Sequence, residues 1–333
     1  MDQQPNPSTS RPMERVLYEV KKIIVGQDVL LERLAVALLA RGHLLVEGVP
    51  GLAKTMAIKT LAASIGGEFK RIQFTPDLVP ADLIGTRIYN QKTGEFSTSL
   101  GPVFTNLLLA DEINRAPAKV QSALLEVMQE HQVTIGHTTH AVPDPFLVLA
   151  TQNPIEAEGT YPLPEAQVDR FMLKILLGYP SPAEEAEIVS RSMGGTLKPR
   201  TVLDPDSLRT LQAGVANVYV DPRIVNYAVT LVDATRRPAR WNLADLGGYI
   251  AYGSSPRGSI NLVHGARALA LLRGRRYVIP SDVTELAPDV LRHRLVLSYA
   301  GLAEGITPDS IIIRIVGVVP APRLETLVAE SPA

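Results

Sequence analysis

The chain has 333 residues, a formal net charge of −1 and no cysteine. This length allows two domains with a substantial core in each, and the lack of cysteine excludes disulfides and thiolate metal sites. Acidic and basic residues alternate without a basic stripe, so we expect no obligatory nucleic-acid partner. The apolar runs are well short of the ~18 residues that a transmembrane helix requires. We therefore expect no membrane insertion and a cytoplasmic location.

The first part of the chain is polar and rich in proline and serine. This composition is typical of a disordered N-terminus, predicted over residues 1–14, and not of a signal peptide. The spacing of apolar residues then predicts two helices between Val16 and Arg41. Val25-Gly26-Gln27 separates these helices, and Asp28 is predicted to cap the second one.

The stretch HLLVEGVPGLAKT, from His43 to Thr55, combines a short apolar strand, a glycine-containing turn and a helix start. Backbone N–H groups in such a turn point inward and the helix dipole favours negative charge, which suits a polyphosphate. Lys54 can reach the β- and γ-phosphates, and the Thr55 hydroxyl can bind Mg²⁺. Ala53 stands where the G-x-x-x-x-G-K-[ST] pattern has its second glycine. The alternative is a plain strand–turn–helix with an exposed lysine.

Strands and helices alternate from here to about residue 180. Strands are predicted at Phe69–Phe74, Leu107–Ala110, Phe146–Ala150 and Ile175–Leu177, a helix at Ala118–Glu130, and hairpins at Ile88–Phe96 and His131–Val142. This order favours an α/β fold, with a parallel sheet flanked by helices and two β-hairpin inserts. After the linker-like residues 178–182 the pattern is helical, which predicts a nucleotide-binding domain over 15–180 and a smaller all-α domain over 181–333. The β-branched stretch Ser310–Val319 could form a small strand in the tail.

Two acidic residues end the apolar strand in the sequence LLLADE. We expect this strand beside the phosphate-loop strand, so that its carboxyl end brings Asp111 and Glu112 to the active face. Asp111 would hold Mg²⁺ through water, and Glu112 would accept a proton from the attacking water or orient it. The alternative is an exposed strand-to-helix turn without chemistry.

Three further polar residues have both a functional and a structural interpretation. Asn153 could hold the water against the γ-phosphate, or only form a turn before proline. Arg170 could pair with Asp169 or Glu165, or it could project at a neighbouring subunit's nucleotide as an arginine finger. Arg257 could reach back to the γ-phosphate from the second domain, or be a solvated residue at a helix start.

These motifs together resemble the AAA+ ATPases, and within them the MoxR family, over nearly the whole chain after residue 15. GVPGLAKT, LLADEINRAP, ATQNP, LPEAQVDRF and SPRGS follow the order and spacing of that family, Ala53 included. The resemblance implies that Asn153 is sensor 1, Arg170 the finger and Arg257 sensor 2. It also implies that the two hairpins are the helix-2 insert and the pre-sensor-1 insert, and that the helical domain is a lid.

The predicted site residues fall into three groups. The nucleotide-binding residues are Val25, Gly26 and Gln27, which the resemblance places against adenine, together with Gly48, Val49, Pro50, Gly51, Leu52, Ala53, Lys54, Thr55 and Met56. The catalytic residues are Glu112, Lys54, Asn153, Arg170 and Arg257. The predicted metal ligands are Thr55 and Asp111.

The resemblance further implies a Mg²⁺-dependent ATPase that binds ATP and forms a homo-oligomeric ring, expected to be a hexamer. Its hydrolysis would remodel or mature a protein client in a chaperone-like way or by metal or cofactor insertion, with a partner that carries a von Willebrand factor A domain. Two alternatives remain: a DNA-directed AAA+ motor, against which the nearly neutral charge counts, and a nucleotide-gated assembly scaffold with little turnover, against which Glu112 and Arg170 count.

Overall fold

The computed structural model of the chain describes residues 12–153, 160–194 and 197–323. The chain divides into two compact units between Val215 and Ala216. The first is an α/β unit with a five-stranded sheet, and the second is mostly helical. Within the described ranges, no helix is both long enough and apolar enough to cross a membrane.

The elements alternate in the first unit and are mainly helical in the second. In chain order the first unit contains α1 (Pro12–Lys21), α2 (Asp28–Leu39), β1 (Leu44–Glu47), α3 (Lys54–Ser64), β2 (Phe69–Gln73), α4 (Pro80–Ile84), β3 (Gly85–Asn90), β4 (Glu95–Leu100), β5 (Leu107–Asp111), α5 (Ala118–Glu130), β6 (Gln132–Ile135), β7 (Thr138–Ala141), β8 (Leu147–Gln152), α6 (Glu165–Val168), β9 (Leu173–Leu176), α7 (Pro182–Met193) and α8 (Pro205–Val215). The second contains α9 (Pro222–Arg236), β10 (Ile250–Tyr252), α10 (Pro256–Leu272), α11 (Pro280–Leu291), β11 (Val296–Leu297), α12 (Tyr299–Ala303) and α13 (Pro308–Val318).

The parallel sheet of the first unit has the strand order β2-β5-β8-β1-β9. Leucine, valine and alanine side chains bury both faces of β1, β5 and β8, as expected where helices cover a parallel sheet on both sides. The prediction that β5 lies beside β1 is wrong, because β8 lies between them. The buried run of β8, from Leu147 to Thr151, is the longest of these three strands. This agrees with its central position, where a strand lies on either side of it.

Two antiparallel hairpins are inserted into this α/β order. β3 pairs with β4, with Ile88 opposite Ser97, and β6 pairs with β7, with Thr134 opposite Thr139. Gly94 closes the first hairpin with a φ of 74°, a left-handed conformation that glycine adopts without steric cost. The predicted α/β sheet with two hairpin inserts is therefore confirmed.

The division between the compact units lies later in the chain than the predicted domain boundary after residue 180. The backbone N–H groups of Val202 and Leu203 donate to the Ser64 carbonyl at 2.9 and 3.2 Å. The Gln212 side chain donates to the Leu38 carbonyl at 2.6 Å. These bonds attach the segment of α7 and α8 to α2 and α3, which explains why both helices belong to the first unit.

The N-terminal helices differ in two details from the sequence-based prediction. Residues 12–14, predicted to be disordered, belong to α1, where Met13 and Val16 are buried; residues 1–11 lie outside the described ranges. Asp28 is the first residue of α2 and not its cap, since the N-cap is Gln27 in a left-handed conformation. Asp28 instead forms an ion pair with Lys21 at 2.6 Å.

The described part of the second unit is mainly helical, and β10 and β11 form a small antiparallel sheet in it. The prediction of a strand at Ser310–Val319 is wrong, because nearly all of these residues belong to the helix α13. Thr307 caps this helix by accepting the backbone N–H of Ser310 at 3.1 Å. Ile311, Ile312 and Ile315 are buried along one side of it, so packing of a helical face outweighs the β propensity of isoleucine.

Candidate active site

The loop between β1 and α3 has the backbone of a phosphate-binding turn. Gly51 has a φ of 87° and Ala53 a φ of 57°. Ala53 is the N-cap of α3 and its side chain caps no N–H group, so the positive end of the helix dipole is open to an anion. The left-handed conformation costs an L-residue about 1–2 kcal/mol, which explains why the common form of the motif has glycine at this position.

Lys54 crosses this loop and lies close to the acidic residues of β5. Its Nζ donates to the Gly48 carbonyl at 2.7 Å. Burial lowers the pKa of Lys54 below its ordinary value of 10.5, and the charges of Asp111 and Glu112 oppose that shift. The predicted phosphate-binding lysine and the predicted acidic residues thus share one electrostatic environment. Thr55 follows Lys54 in the first turn of α3 and is half-buried.

Asp111 ends β5 with both carboxylate oxygens bonded. Its Oδ1 accepts the hydroxyl of Thr151 at 2.5 Å. Its Oδ2 accepts Nη2 and Nε of Arg71 at 2.7 and 3.1 Å. Thr151 lies on β8 and Arg71 on β2, so the two strands that flank β5 hold the carboxylate from both sides.

Glu112 adopts a left-handed conformation, with φ 56° and ψ 51°. Its backbone N–H donates to the Thr151 hydroxyl at 2.8 Å. Its Oε2 accepts Nε2 of Gln73 at 2.8 Å and Nη1 of Arg115 at 3.1 Å. A non-glycine residue is rarely held in this conformation, and such strain is concentrated at functional sites.

Three of these partners, Arg71, Gln73 and Thr151, were missed in the sequence analysis. Gln73 and Thr151 lie at or near the carboxyl end of a strand and Arg71 lies in the middle of β2, and the register places Gln73 opposite Asp111. The available signal was therefore a polar residue at the end of an otherwise apolar or alternating run. It could not be interpreted without the strand order.

Asn153 directly follows β8, whose Gln152 is paired with Glu47 of β1. The carboxyl ends of β1, β5 and β8 therefore lie on the same edge of the sheet, and they bring Asn153 to the edge that carries the phosphate loop and Asp111. Ligands of open α/β sheets bind at this edge. The proline after Asn153 lies outside the described residues.

Val25, the first residue of the turn Val25-Gly26-Gln27, lines a cavity of about 400 Å³. Glycine is favoured at position 26, because its φ is +63° and a Cβ atom would lie 2.3 Å from Oε1 of Glu184. The walls are mostly apolar and include Ile23, Val25, Met56, Ile188 and Leu197. The cavity thus joins Val25 and Met56, both predicted to bind nucleotide, to residues of α7 that the sequence analysis assigned to the other domain.

Arg170 lies at the opposite edge of the sheet from the phosphate loop. It precedes β9, whose first residue Leu173 pairs with Leu44, the first residue of β1. Its Nη1 donates to the Leu125 carbonyl at 3.4 Å. A polar cavity of about 350 Å³ surrounds it, lined also by Glu126.

Arg257 is the second residue of α10 in the second unit. Its backbone N–H donates at 3.2 Å to the side chain of Ser255, which is the N-cap of this helix. The prediction that Arg257 begins a helix behind Pro256 is confirmed, and its catalytic role stays a prediction.

The fold and the site have the features of one class of nucleotide hydrolase. A family profile described as "ATPase family associated with various cellular activities (AAA)" matches residues 43–173. A second profile, for the AAA lid domain, matches residues 247–315 within the second unit. The chain is thus a nucleotide-binding ATPase of the AAA class.

Similar proteins narrow this class further. Chaperone MoxR1 of Mycobacterium tuberculosis is 57% identical over 315 residues, which cover 95% of this chain and 84% of that protein. Protein YeaC of Bacillus subtilis is 47% identical over 313 residues, which cover 92% and 94% of the two chains. A crystal structure of a candidate ATPase from Cytophaga hutchinsonii has a TM-score of 0.89 and 48% identity, and the match covers 94% and 95% of the two chains. The chain belongs to the MoxR family of AAA+ ATPases.

Proposed function

We propose that this ATPase is Mg²⁺-dependent, works as a homo-oligomeric ring and uses hydrolysis to remodel or mature partner proteins. The observation that carries the proposal is the convergence of Lys54, Asp111 and Glu112 at the carboxyl edge of the sheet, where the pKa of Lys54 depends on both acidic residues. The loop, the cation and the two acids form a set that phosphoryl transfer requires.

The phosphates are held by the N–H groups at the start of α3 and by Lys54. The residues present also fit a magnesium ion, since Thr55 and Asp111 offer the oxygen ligands that Mg²⁺ prefers. When bound, this ion would supply neutralisation of charge on the phosphate oxygens. Glu112 accepts a proton from the attacking water or orients it, and Asn153 holds that water from the end of β8.

The adenine base occupies the cavity beside Val25, Gly26 and Gln27. Its volume of about 400 Å³ is in the range of small-molecule sites. Val25 and Ile188 are among the apolar side chains that line it, and apolar walls suit a flat aromatic ring. This placement supports the nucleotide-binding role of the turn, which the MoxR resemblance first suggested.

Arg170 acts on the nucleotide of a neighbouring subunit. β1 is four residues long, so its two ends are roughly 10–13 Å apart at the usual rise of a strand. Arg170 lies beyond the amino end of this strand, and the phosphate loop lies beyond its carboxyl end. The distance between them is therefore longer than the strand, and an arginine side chain cannot span it. A ring, which we propose to be a hexamer, would supply Arg170 in trans and Arg257 from the lid.

The work done by hydrolysis is the remodelling of a protein client, for which the name of the relative MoxR1, a chaperone, gives support. We propose a cytoplasmic location and a partner with a von Willebrand factor A domain. Both come from the family resemblance. Binding to DNA that persists at moderate salt would instead favour the motor alternative.

The ring is tested by measuring the ATPase rate per subunit against protein concentration. We expect the rate to rise as the ring assembles, because each site needs Arg170 of a neighbour. A rate that stays at background while the ring assembles would contradict ATP-driven remodelling and favour the nucleotide-gated scaffold.

The trans role of Arg170 is tested by mixing inactive variants. Arg170→Ala has an intact Glu112, and Glu112→Gln has an intact Arg170, so mixed rings should contain some complete sites and recover part of the activity. The control is the double variant Glu112→Gln/Arg170→Ala, which can donate neither residue and should rescue nothing. Absence of recovery at every mixing ratio would contradict the trans assignment.

A further inference from the structure

A single buried threonine contacts both acidic residues of the site. Thr151 is 1% exposed and lies on β8, between β1 and β5. Its hydroxyl oxygen is 2.8 Å from the Glu112 backbone nitrogen and 2.5 Å from Oδ1 of Asp111. An N–H group can only donate and a carboxylate can only accept, so the hydroxyl accepts from Glu112 and donates to Asp111. This fixes the direction of its single proton.

The contact with Glu112 stabilises a backbone conformation that is otherwise unfavourable. Glu112 has a φ of 56°, in the left-handed region where non-glycine residues are strained. This conformation determines where its side chain points, toward Gln73 and Arg115. The bond to Thr151 satisfies the N–H group of the strained residue and so holds the Glu112 carboxylate in its direction.

The contact with Asp111 fixes the other acid. Thr151 engages Oδ1 while Arg71 engages Oδ2, so the carboxylate plane is held from two strands. The Thr151 hydroxyl itself is held in place, because β-branching restricts χ1 and the surrounding core is close-packed. Threonine thus combines a rigid shape with a donor and an acceptor.

We propose that Thr151 is a positioning residue for hydrolysis, which aligns the metal-binding Asp111 and the water-activating Glu112 through one hydroxyl group. The inference rests on the proposed roles of these two acids. It adds a third residue that acts only through them and that lies on β8, two positions before Asn153, which follows the strand. The carboxyl end of β8 would then supply both the water-holding amide of Asn153 and the hydroxyl that aligns the two acids.

The first test compares Thr151→Val with Thr151→Ser by steady-state kinetics. Valine keeps the shape and removes the hydroxyl, so we expect kcat to fall about tenfold or more, the effect of losing one hydrogen bond to a charged partner. KM for ATP should change by less than about threefold, because the phosphate loop is untouched. Serine keeps the hydroxyl and should restore most of the rate.

A matched control separates alignment from loss of stability. Thr105 is also buried, and its hydroxyl donates to the Glu68 carbonyl at 3.0 Å, outside the site. Thr105→Val should lower the melting temperature as Thr151→Val does, yet keep kcat. Equal loss of kcat in both variants, or a wild-type kcat in Thr151→Val, would overturn the proposal. If Thr151→Val does not fold, the Thr151→Ala and Thr151→Ser pair makes the same comparison.

The second test uses a background without turnover. Binding of a fluorescent ATP analogue is measured at increasing Mg²⁺ concentration in two proteins, Glu112→Gln and the double variant Glu112→Gln/Thr151→Val. We expect the Mg²⁺ concentration at half-saturation to rise severalfold, since Asp111 loses its orientation. An unchanged midpoint would overturn the Asp111 part of the proposal.

The two levels of hypothesis can fail separately. If Glu112→Gln hydrolyses ATP like the wild type, the proposed role of Glu112 is wrong and the inference falls with it. If Glu112→Gln is inactive while Thr151→Val keeps the wild-type kcat, only the role of Thr151 is wrong.

Discussion

The two units contain ion-pair networks made from the same residue types but built in different surroundings. In the first unit, Asp111 pairs with Arg71 and Glu112 pairs with Arg115, with 16% and 22% of the two acidic side chains exposed. In the second unit, the side chain of Asp282 is fully buried beside Arg275. The first network surrounds a strained residue at the end of a strand, and the second lies in and directly beside the helices α11 and α13.

The second network stabilises α11, the helix on which Asp282 and Asp289 lie. Asp282 accepts Nη1 of Arg275 at 2.7 Å and caps α11 by accepting the Ile279 N–H at 2.9 Å. Arg292 is held between Asp289 and Asp309 at 2.6 and 2.7 Å. The comparison teaches that residue type does not separate a reactive pair from a structural one. Exposure does not separate them either, since 29% of the Asp309 side chain is exposed; the left-handed backbone of Glu112 does.

The largest expected effect is on the first network, from Glu112→Gln. The amide cannot accept the proton, and general-base catalysis contributes about 10²–10⁴-fold, so kcat should fall by at least about 100-fold while ATP binding changes little. Steady-state hydrolysis and equilibrium nucleotide binding check this. Glu68→Gln, at an exposed acid, is the control and should keep the rate. A wild-type rate in Glu112→Gln would contradict the assignment of the first network as the reactive one.

The second network should respond in stability and not in chemistry. Asp282→Asn leaves Arg275 without its buried anion, and breaking such a pair costs about 3 kcal/mol. Denaturant unfolding should therefore show a large loss for the second unit, whereas Glu112→Gln should be within about 1 kcal/mol of the wild type, as is usual away from buried pairs. A loss below about 1 kcal/mol for Asp282→Asn would contradict the structural assignment.

His43 extends the comparison to a buried group that forms no ion pair with any residue the structure describes. Its Nε2 is 3.1 Å from the Met128 carbonyl and its Nδ1 accepts the Val148 N–H at 3.0 Å, and burial lowers its pKa to about 4. The neutral form is required, because a protonated Nδ1 would face the Val148 N–H.

Acid should therefore weaken the fold through His43. The unfolded histidine binds a proton near pH 6.5 and the folded one near pH 4, so stability is intact above about 6.5 and falls as the pH drops towards 4. Linkage gives a loss of about 2 kcal/mol between pH 7 and pH 5. Denaturant unfolding at the two values checks this, with His43→Gln as the control that should lack this contribution. Equal losses in both proteins would contradict the assignment.

The smallest expected effect is at Ala53. Ala53→Gly relieves a left-handed alanine at a gain of about 1–2 kcal/mol, and the greater freedom of unfolded glycine offsets about 0.4–1 kcal/mol of it. The net gain in unfolding free energy should be positive and about 1 kcal/mol or less. KM for ATP should stay within about twofold, since the loop geometry is retained. A destabilised Ala53→Gly would show that Ala53 is not strained in this turn.

The sequence was sufficient for the class of fold and for the residues at the carboxyl edge, because a short apolar run precedes each of the turns that carry Lys54, Asp111 and Asn153. A strand followed by a turn has a local signature, and parallel strands end on the same side. The hairpins and the helices around Ala118 and Pro222 also follow from local periodicity.

The remaining features depend on contacts between distant segments. Three apolar strands of similar composition do not reveal which one is central, so β8 was not placed between β1 and β5. The roles of Thr151 and Arg71 follow from that order and could not be inferred without it. The sequence suggests a strand at Ser310–Val319 where the structure has a helix. The β propensity of isoleucine and valine does not reveal which face of the segment is buried by packing.

The attachment of α7 to the first unit matters for anyone who cuts or recombines proteins of this family. A fragment that stops in the Gly178–Pro182 linker, where the sequence invites truncation, would discard Ile188 from the cavity wall and the carboxylate of Glu184 that lies against Gly26. A chimera that exchanges second domains between relatives should instead be joined at Ala216. With the junction there, every described residue that lines the cavity stays with the host protein.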